Sequence, residues 1–364
     1  KRFLFSLCAM MLCAIGIDAQ TVTLSTESDG TVVVHFPQSG LWSTSVNYQH
    51  SHPCTSTDGT TITTLQAAKK VKVTGNISSE DIRELSYLIG NMYKAVEDNP
   101  QDNHPAEELD MSGAKMTEAM NVKGQYGGYD YCIRNIKKLY LPEPCTGHTT
   151  VPALADWVGQ YDTGGSLEYL GITEGWTGIA NNAFENCYLL DEVKLPVSLV
   201  NTGGYTFHNC KHLQYIDLSK CTNVTEIEKY AFGLDNAPTG NVGMGSKVLN
   251  LPPNVKYIRE GAFYHHSATI LWIPETVEEI EKWSFLDYGG SNPMSDIFFL
   301  GKTAPKIVHT DAFSENTQSA NKGTVNFAAT TSEGKADRDV YQLPTSGYCA
   351  VMHFPQGCDA EYLD

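Results

Sequence analysis

The chain has 364 residues and a formal net charge of −17 at neutral pH. An acidic excess of this size disfavours nucleic acid and anionic membrane as partners. The charges are scattered instead of gathered in runs, which describes a soluble surface and not an acidic tail.

Lys1-Arg2, an almost wholly apolar run from Phe3 to Ile17, and then Asp18-Ala19-Gln20 have the order of charge, apolar core and small residue of a secretory signal peptide. Residues 1–19 are therefore read as the leader of an exported, secreted or cell-surface protein. The apolar run spans about 15 residues, short of the roughly 20 that cross a bilayer, and no later run approaches that length. No integral membrane segment is expected in the mature chain. Leu7 and Leu12, before Cys8 and Cys13, are too large for a lipoprotein processing site. Because the first residue is Lys and not Met, the sequence reads as a fragment. Loss of the leader's two cations and one anion takes the net charge to −18. Of the 10 cysteines, those outside the leader can pair after export. Cys132 with Cys145 and Cys349 with Cys358 are the local candidates by spacing, with connectivity left open.

Residues 20–70 are read as an N-terminal extension, rich in Thr and Ser, with a strand over Thr31 to Phe36. His50-Ser51-His52-Pro53-Cys54 offers imidazole and thiolate, which are zinc ligands, but shows neither paired spacing nor a fourth partner. A solvated loop is the favoured reading. Residues 71–175 are expected to form a capping unit followed by irregular early repeats. Val71 to Gly75 reads as a strand, and Ser79 opens a helix with Ile82, Leu85, Leu88 and Ile89 on one face. Leu109 to Ser112, Ile133 to Pro142 and Leu167 to Thr173 supply further strands. Tyr126, Tyr129, Tyr131 and Asp156 cluster in the irregular 113–165 stretch, where a hydrolase site is the minor reading and packing the favoured one.

Self-similarity begins at Asn182-Ala183-Phe184-Glu185-Asn186-Cys187, which returns 23 positions later as Tyr205-Thr206-Phe207-His208-Asn209-Cys210. Cys187, Leu190, Val193 and Leu195 recur as Cys210, Leu213, Ile216 and Leu218. Tyr230-Ala231-Phe232, Gly261-Ala262-Phe263, Trp283-Ser284-Phe285 and Asp311-Ala312-Phe313 continue the series. Ile179, Ile227, Ile258, Ile280 and Val308 stand four residues before the small residue, with Thr202 as the exception. Leu195-Pro196, Leu251-Pro252 and Ile273-Pro274 mark strand ends, and Leu218-Ser219 and Leu300-Gly301 take the equivalent places. Insertions fall at Gly233 to Lys247 and Leu286 to Asp296. One unit buries too little apolar surface to offset the entropy of ordering it, so units must stack.

This pattern, I-x-x-x-A-F-x-x-C-x-x-L-x-x-I-x-L-P, resembles the BspA-type leucine-rich repeat of bacterial surface proteins. The fold class implied is a repeat solenoid, predominantly β with short helices and turns, carrying an N-terminal cap. Repeats are assigned to 176–327 and an irregular closing segment to 328–364, where Val351 to Tyr362 is similar to the family's ending. The resemblance implies exported proteins that contact host or cell-surface ligands.

Strand side chains alternate, so with Val193 and Leu195 inward, Lys194 points outward. The same register gives one outward column: Lys194, Asp217, Asn250, Trp272 and Phe299. These are the candidate ligand-binding residues, with the aromatics Trp272 and Phe299 at their centre, and the alternative is that an insertion or the tail covers them. No catalytic constellation is found and no enzyme is expected. His208 and His212, and His265-His266, are read as turn residues at the surface, and Cys187 and Cys210 as buried ladder thiols. Gly240 to Lys247 has its Ser before its Lys, the reverse of a phosphate loop. Glu278, Glu279 and Glu281 read as a solvated stretch. No cofactor or metal is expected. The reading is an exported adhesion or binding protein for a protein or glycan ligand; the alternative is a spacer or docking arm of a longer exported protein.

Overall fold

The computed structural model describes residues 22–41, 64–90, 104–122, 132–159, 165–235, 248–266, 268–286, 296–308, 312–313, 340–344 and 349–355. Residues 1–19, His50 to Cys54, Tyr126, Tyr129, Tyr131, Gly240 to Lys247 and Cys358 lie outside them. Among the described residues no helix is long and apolar enough to cross a membrane.

Alternation of apolar and polar residues sets the first strands. Val32–Phe36 buries Val32, Val34 and Phe36 and leaves His35 exposed. Thr23–Thr26 pairs with it antiparallel. Every later addition to this sheet is parallel: Lys70–Ile77, Glu108–Met116, Lys138–Tyr140, Tyr169–Gly171, Glu192–Lys194 and Tyr215–Ile216 complete an 8-stranded sheet. The extension is thus joined edge to edge with the first units of the array.

Parallel neighbours need a crossover, and the one from Lys70–Ile77 to Glu108–Met116 carries the helix Ser79–Ile89. Ile82, Leu85, Leu88 and Ile89 all lie on its buried face. Its start is held by a capping box: Ser78 Oγ accepts from the Asp81 N–H, and the Asp81 carboxylate accepts from the Ser78 N–H at 2.8 Å. The same carboxylate accepts from the Gly40 N–H at 2.7 Å, tying the extension to the cap. Trp157 Nε1 donates to Ser86 Oγ at 3.0 Å, so the short helix Ala155–Val158 is fixed against the first.

Beyond residue 175 the crossovers contract to turns. One row of strands, Glu226–Ile227, Tyr257–Ile258, Glu279–Ile280 and Lys306–Ile307, forms a parallel sheet of its own. The other, Val248–Asn250, Ile270–Ile273, Asp296–Phe299 and Cys349–His353, is likewise parallel, with Val340–Pro344 antiparallel at its edge. Between the rows runs a single file of rings. Phe184, Phe207, Phe232, Phe263, Phe285 and Phe313 stack in succession with centroids 5.6, 5.6, 5.3, 5.5 and 5.5 Å apart. Ile179, Ile227, Ile258 and Ile280 make a second buried file. Thr202 keeps the place of Ile in its unit because its hydroxyl is satisfied: Oγ1 accepts from the Glu228 N–H at 3.3 Å.

The turn before each Phe explains two columns of the repeat. Asn182, Tyr205, Tyr230, Gly261 and Trp283 all have φ between 50° and 64°, the left-handed region that Asn and Gly enter most readily. The small residue that follows is fully buried, which leaves no room for more than Ala, Ser or Thr. Where it carries a hydroxyl, the hydroxyl donates to a backbone carbonyl, Thr206 to Thr202 O at 2.5 Å and Ser284 to Glu281 O at 2.6 Å. Gly261 is required twice over. Its φ is 64°, and a Cβ there would lie 2.4 Å from the Tyr230 ring.

Two expectations are corrected. Ile307, not Val308, pairs with Ile280; Ile307 ends the last strand of its row and Val308 follows it, at 42% and 47% exposure, and adjacent Ile and Val fit either phase, so spacing could not choose. Cys132 and Cys145 are both buried and are not joined to each other, and Cys132 Sγ donates to Asp156 O at 3.4 Å. Burial pushes the Cys187 thiol up to about 12 and Cys210 well above the ordinary value. Alkylation of the native protein at pH 8 is therefore expected to spare Cys187 and Cys210, and to reach both in denaturant. Peptide mass spectrometry reads this directly, and rapid native labelling of either thiol would contradict the packing.

Candidate ligand face

On a strand bearing inward Val193, the flanking residues point outward, and parallel register places them in columns. Lys194 and Asp217 are both exposed, as expected, and Lys194 pairs with Gly171, which pairs in turn with Tyr140. The column thus continues upstream into a tyrosine cluster that the repeat spacing did not reach. The Tyr140 and Tyr169 rings lie 5.0 Å apart, and Tyr140 leans over the space left by Gly171, where a Cβ would meet its ring at 2.7 Å. Burial first, then Tyr140 and the Glu192 carboxylate, push Tyr169 up to about 12.

The column is interrupted after Asp217. Tyr215–Ile216 is the last strand of the first sheet, and Val248–Asn250 opens another. In the second sheet Asn250 pairs with Trp272, Trp272 with Phe298 and Phe298 with His353. Phe299 is therefore not in the column. It pairs with Ile273, points inward and is 6% exposed, stacked on Phe354 with centroids 5.2 Å apart. The error is one residue of register, which turns every side chain of a strand to the opposite face. This unit lacks the Pro that ends its neighbours, and Phe298-Phe299-Leu300 offers three apolar residues in a row, so either phase satisfied the pattern. Leu300, read as the inward landmark, is 49% exposed.

The outward row is then Asn250, Trp272, Phe298 and His353. Trp272 is 37% exposed. Its ring stacks on Phe298 at 4.1 Å and 12°, and Phe298 stacks on His353 at 4.1 Å and 8°. His353 Nε2 lies 2.8 Å from Asp296 Oδ1, which holds the far end of the row. His353 belongs to the closing segment, and no repeat count could have put it beside Phe298.

The turns hold further polar clusters. His208 is buried, not at the surface: Nδ1 lies 3.4 Å from Glu185 and Nε2 3.1 Å from Asp235. Asn209 donates to Asp235 at 2.8 Å and to Asn186 at 3.1 Å. His265 and His266 are buried too. A turn in a solenoid is covered by the turns above and below it, so turn position alone does not expose a side chain. Burial pushes both His265 and His266 down to about 4. Glu279 and Glu281 are half-buried and ordered, not freely solvated. Arg259 reaches Glu281 at 2.9 Å and Glu279 at 3.7 Å, and bonds Glu226 on its other side. Glu278 is exposed and paired with Lys256 at 2.8 Å. Among the described residues no group of three or more His, Cys, Asp or Glu is placed to hold a metal.

Strands in parallel register over single files of Phe and Ile define a leucine-rich-repeat solenoid. The family described as BspA type leucine rich repeat region matches residues 160–287 and 243–322 in 6 copies, so this part of the chain is built of BspA-type leucine-rich repeats. Among solved structures it is similar to a leucine rich cell surface protein from Faecalibacterium prausnitzii A2-165, at 12% identity over 78% of this chain and 94% of that one, with a TM-score of 0.31. It is also similar to a leucine-rich repeat protein from Eubacterium ventriosum ATCC 27560, at 12% identity over 84% of this chain and 96% of that one, with a TM-score of 0.23. No curated protein matches the chain.

Proposed function

We propose that this is an exported binding protein, held at the cell surface or secreted through the leader 1–19, whose second sheet presents its outward row to an extracellular protein or glycan. The observation that carries this reading is the row itself: Trp272, Phe298 and His353 stand side by side on consecutive strands, outside the core and in stacked contact. Rigid aromatic side chains give contact area at low entropic cost, and such residues carry much of the energy at binding surfaces. Lys194 lies on the other sheet and Asp217 directly follows its last strand, and both are proposed as flanking contacts; Asn250 and Trp272 keep the central role, and Phe299 supports the row from below.

The mature protein, screened against immobilised extracellular-matrix proteins and glycans, is expected to be retained on at least one. Trp272→Ala and Phe298→Ala are each expected to weaken that retention tenfold or more while leaving the circular dichroism spectrum and the urea midpoint close to the parent's. Phe299→Ala is expected to lower the urea midpoint instead. Undiminished retention by both Trp272→Ala and Phe298→Ala would rule the row out as the contact surface.

A further inference from the structure

Ring planes within 12° of parallel, at 4.1 Å across neighbouring strands, mean that the stacking axis runs from strand to strand. Both faces of Phe298 are consumed, one by Trp272 and one by His353. The row therefore offers ring edges along most of its length. The exception is the face of Trp272 turned away from Phe298. It looks across to the strand Val248–Asn250, and among the described residues no ring or cation packs on it. The residue directly opposite is Asn250, short and exposed. Asn250 is too short to cover the indole, so beyond its tip the free face is open over a step of one strand spacing, about 4.8 Å, the distance at which a further ring of the stack would lie.

The chemistry of the step narrows its occupant. Neither the Asn250 amide nor Trp272 Nε1 makes a hydrogen bond among the described residues, so donors and an acceptor border the indole face. Covering them with a purely apolar side chain would strip their water and return nothing. Among the described residues of these two strands, Val248–Asn250 and Ile270–Ile273, none is charged, in a chain of net charge −17. Val248 and Ile270 precede the two residues on the same outward side, Pro274 follows, and the carboxylate of Asp296, beside Ile270, lies 2.8 Å from His353 Nε2. These two strands supply no charge to attract a cation or to repay the desolvation of an anion.

We infer that the free face of Trp272 and the side chain of Asn250 form a subsite for one neutral pyranose unit of a glycan. The sugar's C–H face lies on the indole, and its hydroxyls exchange hydrogen bonds with the Asn250 amide. This assignment rests on the reading of the second sheet as a ligand surface, and names the ligand class for it.

The test is saturation-transfer NMR of the mature protein with a panel of neutral methyl glycosides of hexoses, N-acetylhexosamines and deoxyhexoses. At least one glycoside is expected to receive saturation on the C–H protons of a single ring face. Trp272→Ala is expected to reduce its affinity at least tenfold, and Asn250→Ala several-fold. Asn250→Phe, which fills the step with a ring, is expected to abolish binding with near-ultraviolet circular dichroism otherwise preserved. No transfer across the panel, or transfer that survives Trp272→Ala, overturns the assignment. If sugars fail but an immobilised matrix protein is retained and lost with Trp272→Ala, the subsite is wrong and the ligand surface stands. If nothing is retained by the parent, both fail.

Discussion

Phe232→Ala is expected to lower the free energy of unfolding by about 3 to 5 kcal/mol, the usual range for emptying a buried phenylalanine site. Phe232 sits within the file, stacked on Phe207 at 5.6 Å and on Phe263 at 5.3 Å. Removing it takes contacts from two units at once, and in a solenoid each unit is held mainly by its neighbours. The gap is difficult to close, because the flanking rings are carried by turns whose backbone bonds are already made, Phe207 N–H to Ala231 O and Phe232 N–H to Ala262 O. Phe313→Ala is expected to have a smaller effect, since that ring is only partly buried and stacks on a single member of the file, Phe285. Urea denaturation of the two variants beside the parent measures both. A loss below about 1 kcal/mol for Phe232→Ala would mean that the file is not the main source of cohesion between units.

The second large effect is on pH dependence. Glu84 is buried in the cap helix at 3% exposure. Burial first, then Glu80, raises its carboxyl from 4.5 to about 7 against a smaller opposing effect of Arg83. A carboxyl whose folded value is raised favours the folded state fully below pH 4.5, and that contribution is lost as pH rises through about 7. At 1.36 kcal/mol per unit, the loss is about 3 kcal/mol. His265 and His266 act in the opposite sense. Their folded values, lowered from 6.5 to about 4, give stability that is present above pH 6.5 and is lost as pH falls through about 4. Glu84→Gln is expected to leave stability near pH 4 almost unchanged and to raise it by up to about 3 kcal/mol at pH 7.5. The variant should also gain stability more steeply than the parent between pH 4.5 and 6.5, since the opposing slope has been removed. Thermal or urea unfolding across this pH range separates the two contributions, and equal stabilities at pH 7.5 would show that Glu84 is not desolvated.

The repeat was legible in one dimension because its physics is local. The tight turn needs a left-handed residue, then a small one, then a ring, and this order recurs at Ala183-Phe184, Thr206-Phe207, Ala231-Phe232, Ala262-Phe263 and Ser284-Phe285. The cap helix was legible for the same reason: Ser78, Asp81 and the apolar spacing Ile82, Leu85, Leu88, Ile89 are signals within one element. Asn250 and Trp272 could be placed outward because Pro252 and Pro274 mark the ends of their strands and so set the phase.

What required the tertiary structure is everything that depends on a neighbour distant in sequence. Phe298 and Phe299 differ by one residue, and only pairing with Trp272 and Ile273 decides which of them faces out. His353 reaches the row from beyond a long stretch without repeats, through a strand pairing that has no local signature. His208, His265 and His266 looked exposed as turn residues and are buried, because the side of a turn is covered by the next coil. The sequence by itself determined the repeat, its cap and the residues that must be inside. The tertiary structure decided which aromatic face is left open, because register and ring stacking are properties of adjacent strands and not of any one of them.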